Sequence, residues 1–543
     1  MEDRKVEFYR ERFEQTKARH FSFWLQEPAF HLDETAGILT LTATLRCTAE
    51  HPVRLADFSL KIGDTEHPFT LTGDLDPAVA AEDPAMEIRI EIAASELEGF
   101  EQQNLVCLCR KSPNSILYDG ADESYERRHS PFLRNREKGL IAYFRESISG
   151  KLMFTVREER VTDSPEAERL MEKAEKRAAF LEEHGWGRTP IMMYEKLGRY
   201  EESASALFER LIDAGYRNVW FVADKGKLPK GLPWRYRRHI VQRFSFRHYL
   251  LYFRARTYLS SEQIVHAVDM DCQSFPLWAH CRQGYGEITH VHLQHGIMYM
   301  LSLRSAALSG SCKGAKVAFY KEIYVASSEK ELRHFMEEGG YDREEIYLAG
   351  LPKLDRARLN EGADKIVIMP TWRPWEKNEA RLDPENTTYY RFLRRMTDAV
   401  PEELRDKVIV LPHPFFASLL KDKGAAGEEL AYDRILRDTK LLVTDYSSIA
   451  YDAFYRGSNV VFDWSEKDAC MKEYGANSSL KLSEEDAFGE ICRTEEALTE
   501  AIRRAYAEPQ RQEYIDNFRT IVSFHDGRNC DRVIECLKKD GIL

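Results

Sequence analysis

Four short stretches of this 543-residue chain carry side chains suited to holding a phosphate and moving a proton. Thr444-Asp445-Tyr446-Ser447-Ser448 sets two hydroxyls where a helix begins, so unpaired backbone N–H groups and the positive end of the helix dipole would meet an anion there. The same residue types also serve as an ordinary helix cap. Pro370-Thr371-Trp372-Arg373 adds an arginine whose planar fork matches two phosphate oxygens. Gln294-His295-Gly296 and Pro412-His413-Pro414 each supply an imidazole able to take a proton near neutral pH, and Gly296 lets a substrate approach the backbone. His290, His292 and His295 fall close together, with alternation setting His290 and His292 on the face opposite Val291 and Leu293, but no carboxylate or cysteine joins them, so no metal site is expected.

The elements that must position these residues can be read from hydrophobic rhythm. Leu441-Leu442-Val443 is a short apolar run, Ile449, Phe454 and Tyr455 recur at helical spacing beside Asp452, Gly457 and Asn459 stop that helix, and Val460-Val461-Phe462 begins another strand. Strand, polar turn, helix, strand is a βαβ unit, and the turn lies at the carboxyl end of its first strand, where open parallel sheets bind ligands. Apolar runs at Lys365–Met369 and Lys407–Leu411 lead into the arginine and His413 stretches, and His290–Leu293 leads into His295. Further runs at Ile191–Tyr194, Asn218–Val222, His239–Val241, Thr257–Leu259, Ile323–Ser328 and Ile346–Pro352 alternate with helical patterns. The reading is two doubly wound, Rossmann-like domains, at 190–360 and 361–543, the second closing with the C-terminal helix. Ahead of them the period falls to two, as in Gly37–Leu45, Met86–Ile92 and Asn104–Leu108, which predicts a mostly antiparallel β-sandwich over 1–160. A charged helix over Ser164–His184 fills a linker at 161–189. The fold class expected is therefore α/β with an accessory β domain in front.

Composition narrows the function. With 78 Lys+Arg against 90 Asp+Glu the net charge is −12, which argues against a nucleic-acid partner. Ten scattered cysteines show no CxxC pair and no zinc-like spacing, and suit a reducing compartment. The charged opening MEDRKVEFYRERFEQ predicts no secretory signal, and no run approaches the roughly 20 apolar residues of a spanning helix. One local exception is Lys225–Arg247, with eight Lys/Arg, no acidic residue and interleaved Trp234, Tyr236, Phe244 and Phe246. This run is either a solvated face or a dock for an anionic lipid surface or polyphosphate chain.

The stretches PTWR at 370–373, PHP at 412–414 and TDYSS with Asp452, together with Ser327-Ser328, Gly350-Leu351-Pro352-Lys353-Leu354-Asp355 and the Asp526-Gly527…Arg532 element, resemble the CDP-glycerol glycerophosphotransferase family of teichoic acid and capsule polymer synthesis. The resemblance runs over roughly Pro190–Leu537 and departs from the family pattern in two places. The family's WHGTPLK is Gln294-His295-Gly296-Ile297-Met298-Tyr299 here, and Lys353 stands where its GxPRxD element has arginine.

The resemblance implies a GT-B-like pair of domains with the CDP donor on the second and the acceptor on the first. It implies transfer of an alditol phosphate, glycerol phosphate first among them, to a hydroxyl of a polyanionic, membrane-linked polymer, with release of CMP and no cofactor or metal. His295 is then the better candidate for the general base and His413 for contact with the diphosphate or leaving group, and the sequence leaves open which histidine has which task. Arg373, Ser447 and Ser448 hold the diphosphate, Gly296, Thr371, Thr444, Asp445 and Asp452 line the substrate, and Asp526 and Arg532 stand nearby in the donor half. The expected location is cytoplasmic, peripheral on the inner face of the membrane. Two alternatives remain open at this point: a GT-B glycosyltransferase using a nucleotide sugar, and a non-catalytic partner of a polymer-export complex.

Overall fold

The computed structural model describes residues 23–47, 58–72, 85–109, 113–118, 130–146, 151–268, 288–305, 308, 311–313, 320–376, 379–380, 383–412, 416, 432–475 and 477–543. The chain divides into two compact units, with the main break between Glu172 and Lys173.

The first unit is built from β1 (Phe23–Asp33), β2 (Ile38–Cys47), β3 (Ser59–Ile62), β4 (Thr65–His67), β5 (Thr70–Thr72), β6 (Ala85–Ala93), β7 (Gln103–Cys109), β8 (Pro113–Tyr118), β9 (Leu133–Asn135), β10 (Leu140–Glu146) and β11 (Leu152–Glu158). Alternation does its work on β6, where Met86, Ile88, Ile90 and Ile92 are buried and Glu87, Arg89 and Glu91 are exposed. The strands join in the order β5-β6-β2-β1-β8-β7-β11-β10-β9, with β3 on β7 and β4 on β3. The β1–β8 pair is parallel and every other described pairing is antiparallel. Phe30 of β1 stacks on Phe144 of β10 at 6.2 Å between ring centres, although four strand-to-strand steps separate them in the sheet order. A flat sheet would hold them roughly 19 Å apart. The sheet therefore folds over on itself, and one hydrogen-bonded sheet supplies both faces around a single core.

The second unit contains two parallel sheets. The larger comprises β12 (Ile191–Tyr194), β13 (Val219–Ala223), β14 (Ile240–Gln242), β15 (Thr257–Ser260), β16 (Thr289–His292), β17 (Lys321–Ala326) and β18 (Ile346–Leu348), ordered β14-β13-β12-β15-β16-β17-β18. Its strand order reverses between β12 and β15, which opens a crevice at their carboxyl ends. The smaller comprises β19 (Lys365–Ile368), β20 (Val408–Val410), β21 (Thr439–Thr444), β22 (Asn459–Asp463) and β23 (Glu490–Cys492), ordered β20-β19-β21-β22-β23, and reverses between β19 and β21. The Pro370–Arg373 and Thr444–Ser448 stretches thus share one switch point, as side-by-side strand ends require. No helix among the described residues is long and apolar enough to cross a membrane.

Two placements differ from the sequence reading. The last helix, Asn529–Lys539, follows the second series in sequence, yet its Cys530, Val533, Ile534 and Leu537 sit in the core of the larger sheet. Asp355 fixes its start, accepting hydrogen bonds from Asn529 N at 2.9 Å and Cys530 N at 2.8 Å. The basic run Lys225–Arg247 is not one face. Lys225 and Lys227 follow β13 and Arg243 follows β14, at the carboxyl edge, whereas the short helix Trp234–Arg237 precedes β14 and lies at the opposite, amino edge. There Arg235 pairs with Asp213 at 2.9 Å, and Arg238 stacks over Trp234, which is 70% exposed.

Candidate active site

At the smaller sheet's switch point, Asp445 ties two loops together. Its Oδ1 accepts from Thr371 N (2.9 Å), Thr371 Oγ1 (2.7 Å) and its neighbour Tyr446 N (2.6 Å). Thr444 Oγ1 donates to Met369 O at 2.6 Å, and Trp464 Nε1 donates to the Asp445 carbonyl. Burial pushes the Asp445 carboxyl up to about 6 against the pull of these bonds, and its second oxygen is buried without a hydrogen-bond partner, a place for a proton. Thr371, Thr444 and Asp445 therefore spend their polar atoms on holding the loops in register. The loop they hold ends in Ser447 and Ser448 at the start of the helix Ile449–Arg456. Ser448 makes no side-chain capping bond to that helix, and Gly457, at φ 108°, closes the other end.

The larger sheet's switch point is filled by the chain itself. Glu195, directly after β12, accepts from Glu201 N (2.7 Å), Glu202 N (2.9 Å) and Ser205 N (2.8 Å) at the start of the helix Ser203–Asp213. Ser261 Oγ accepts from Ala204 N in the same turn at 3.0 Å. Burial, and then the charge of Glu202, raise Glu195 to about 7. The helix end that would receive a phosphate in a Rossmann-like fold is thus occupied by a carboxylate.

Next to it, two residues beyond β16, Gln294 is held at φ 59° in the left-handed region that non-glycine residues seldom enter. Glu331 braces the loop on both sides of His295, accepting from Met298 N at 2.8 Å, from Gln294 Nε2 at 3.4 Å and from Ser327 N at 2.6 Å. Burial pushes Glu331 up to about 7. His295 itself projects outward with its side chain 62% exposed, and its Nδ1 lies 3.6 Å from Glu262 Oε1.

The two switch points meet. A Cβ added to Gly296 would stand 3.1 Å from Ser448 Oγ, so the His-Gly turn of one sheet rests against the Ser-Ser turn of the other. Lys353 ties the same junction. Its Nζ pairs with Asp452 Oδ1 at 2.8 Å, lies 3.6 Å from Glu202 Oε2 and donates to the His295 carbonyl. Chain beyond the turn is built into the other half, since Leu301 bridges to Leu480 and Tyr451 Oη donates to Tyr299 O at 2.8 Å.

The remaining sequence candidates are placed as follows. Arg373 is not an open phosphate fork. It is 2% exposed, paired with Glu466 at 2.6 Å, bonded to Thr388 Oγ1 and stacked over Phe392, because β19 leads it under the helix Thr388–Asp398. Asp452 faces Lys353. Asp526 is bonded to Arg532, whose guanidinium also lies over Phe524, and this pair opens the last helix, at the larger sheet. His413 lies outside the described residues. No group of three or more His, Cys, Asp or Glu among the described residues is arranged to hold a metal ion.

Sequence reasoning passed over Glu195, Glu262 and Glu331, and treated Lys353 only as a departure from a motif. Ser328 and Glu331 do form an S-x-x-E pattern at a helix start, a signal available in the sequence. Glu195 and Glu262 carry none beyond following a strand.

Comparison with known proteins gives three findings. The family model described as CDP-Glycerol:Poly(glycerophosphate) glycerophosphotransferase matches residues 190–539. A minor teichoic acid biosynthesis protein, GgaB of Bacillus subtilis (strain 168), is 22% identical over 382 residues, covering 65% of this chain and 40% of GgaB, so the chain spans well under half of that relative. Among solved structures, the wall teichoic acid polymerase TagF aligns at 17% identity and TM-score 0.48 over 68% of this chain and 94% of TagF. A UDP-GlcNAc 2-epimerase from Neisseria meningitidis aligns at 8% identity and TM-score 0.36 over 64% of this chain and 99% of its own.

Proposed function

The chain belongs to the CDP-glycerol:poly(glycerophosphate) glycerophosphotransferase family, and on that premise we propose that it moves an alditol phosphate, glycerol phosphate first among them, from a CDP-alditol to a hydroxyl of a teichoic-acid-like polymer. The observation that carries this reading is the junction of Gly296 with Ser448, which sets an exposed imidazole beside a helix N-terminus.

In the proposed reaction an acceptor hydroxyl oxygen attacks the phosphorus that bears the alditol. The bond from that phosphorus to the bridging oxygen breaks, CMP leaves with the electron pair, and a phosphodiester forms. His295 takes the hydroxyl proton. The donor diphosphate lies at Ser447 and Ser448, where backbone N–H groups and the helix dipole offset charge. Occupation of the larger sheet's helix end by Glu195 supports giving the donor to the smaller sheet. The two sheets act as a GT-B-like pair, acceptor on the larger. His413 contacts the diphosphate or leaving group, and Thr371, Thr444 and Asp445 position the cradle. Arg373 acts through Glu466 and the Thr388 helix. The acceptor is membrane-linked and the protein attaches to the membrane surface peripherally, without a cofactor or resident metal.

A CMP-release screen of purified protein against CDP-glycerol, CDP-ribitol and nucleotide sugars tests this. Release with a CDP-alditol and a polymer acceptor, insensitive to EDTA, is the expected result. Turnover confined to nucleotide sugars would reject the alditol-phosphate reading. Loss with EDTA that Mg²⁺ restores would reject metal independence alone.

A further inference from the structure

We propose that Glu262 is the positioning residue of His295, fixing its ring so that Nδ1 carries the hydrogen toward the carboxylate and Nε2 faces the reacting hydroxyl. This rests on the functional reading above, in which His295 is the base.

The backbone around His295 is pinned from three sides. Lys353 Nζ holds its carbonyl, and Glu331 holds the Gln294 side-chain amide before it and the Met298 N–H after it. With the main chain fixed, the freedom left is rotation of an exposed ring, and Glu262 Oε1, 3.6 Å from Nδ1, is the acceptor that faces it. Glu262 is itself held. It follows β15, its N–H donates to Ser260 Oγ at 2.9 Å, and the adjoining Ser261 accepts from Ala204 N through its hydroxyl and from His292 Nε2 through its carbonyl, at 3.2 Å. Its side chain is only 14% exposed, and its other oxygen lies 4.0 Å from His266 Nε2. Among the described residues, the titratable and charged groups about the pair include His266, Lys353 and Glu202.

A carboxylate behind one ring nitrogen selects the tautomer in which the other nitrogen has the lone pair, and it stabilises the imidazolium once the proton arrives. The 3.6 Å spacing is that of a resting site, which closes to a hydrogen bond when substrate binds. Glu262 touches no reacting atom and acts through His295.

The test uses the full chain with Glu262→Ala and Glu262→Gln. Glu262→Ala should lower kcat for CMP release by about 30–100-fold while the donor KM stays within about threefold. Glu262→Gln keeps an acceptor oxygen and should lose less. A kcat within threefold of native for Glu262→Ala overturns the proposal, as does a fall in thermal midpoint that accounts for the loss. A second measurement needs no turnover. In protein labelled with ¹⁵N-histidine and assigned with His295→Ala, at pH 8, His295 should show the Nδ1–H tautomer, and Glu262→Ala should mix the two. An Nε2–H tautomer in the native protein overturns the proposal. If the native protein releases no CMP from any CDP-alditol, it is the functional reading that fails, and the spectrum still decides the positioning.

Discussion

At the scale of single residues, the site separates groups that face the cleft from groups that hold them. His295 is exposed beside Ser448, whereas Asp445, Glu331 and Glu195 are buried and bonded to backbone N–H groups. His295→Ala and His413→Ala should each lower CMP release by ~10²–10⁴-fold with unchanged thermal unfolding, the usual cost of losing a placed acid or base. Near-native release from either variant would make that histidine structural. The buried carboxylates give a pH signature. Glu195 has its pKa raised from 4.5 to about 7. Its native state therefore holds a proton that the unfolded chain gives up earlier, so the associated stability is present below 4.5 and is lost as pH rises through about 7. Glu195→Gln removes this dependence at the cost of setting an NH₂ against backbone donors. The gap between variant and native stability should thus drift in the variant's favour from pH 5 to pH 7.5, by on the order of 1–3 kcal/mol. Denaturant melts across that range measure it, and a drift of opposite sign would contradict the assignment.

At the scale of elements, the two edges of the larger sheet divide the work. Its carboxyl edge carries the left-handed residues Leu197, Phe244 and Gln294, each just after a strand. Its amino edge carries Trp234, Arg237 and Arg238 exposed to solvent, away from His295. Arg235 already pairs with Asp213, so reversing its charge would also cost stability. The cleaner variant is Arg237→Glu with Arg238→Glu. It should raise KM for a long anionic acceptor several-fold at low salt, with the effect fading as salt screens it. Donor KM and turnover on a short soluble acceptor should stay as they are. A rise in donor KM would show that this edge does not serve the acceptor.

At the scale of the whole molecule, the two sheets of the second unit are interlocked. Chain from the larger sheet runs into the smaller at Leu301–Leu480, and the last helix runs back. Removing residues 526–543 would strip Cys530, Val533, Ile534 and Leu537 from the larger sheet's core and leave the carboxylate of Asp355 without Asn529 and Cys530. Burial of such side chains contributes roughly 1.5–3 kcal/mol each, so the loss is comparable with the whole stability of an ordinary domain. The truncated chain should therefore fail to give soluble, cooperatively unfolding protein, measured by soluble yield and calorimetry. A soluble product with a native melt would mean that the helix is an appendage.

What the sequence determined by itself was local. Period two announced the β unit, and the runs before His295, Arg373 and Ser447 placed each at the carboxyl end of a strand, because strand and helix rhythm depend on near neighbours alone. Tertiary structure decided which of those ends meet and what braces them. Lys353 reaches Asp452 across 99 residues and Asp355 caps a helix 174 residues away, and neither distance leaves a trace in periodicity. The fold likewise turned Arg373 inward onto Glu466, split the basic run between two edges and filled one phosphate-like helix end with Glu195. A side chain's type states what it can bond. Which partner it finds is set by packing between elements far apart in the chain, and that competition is settled only when the whole core forms.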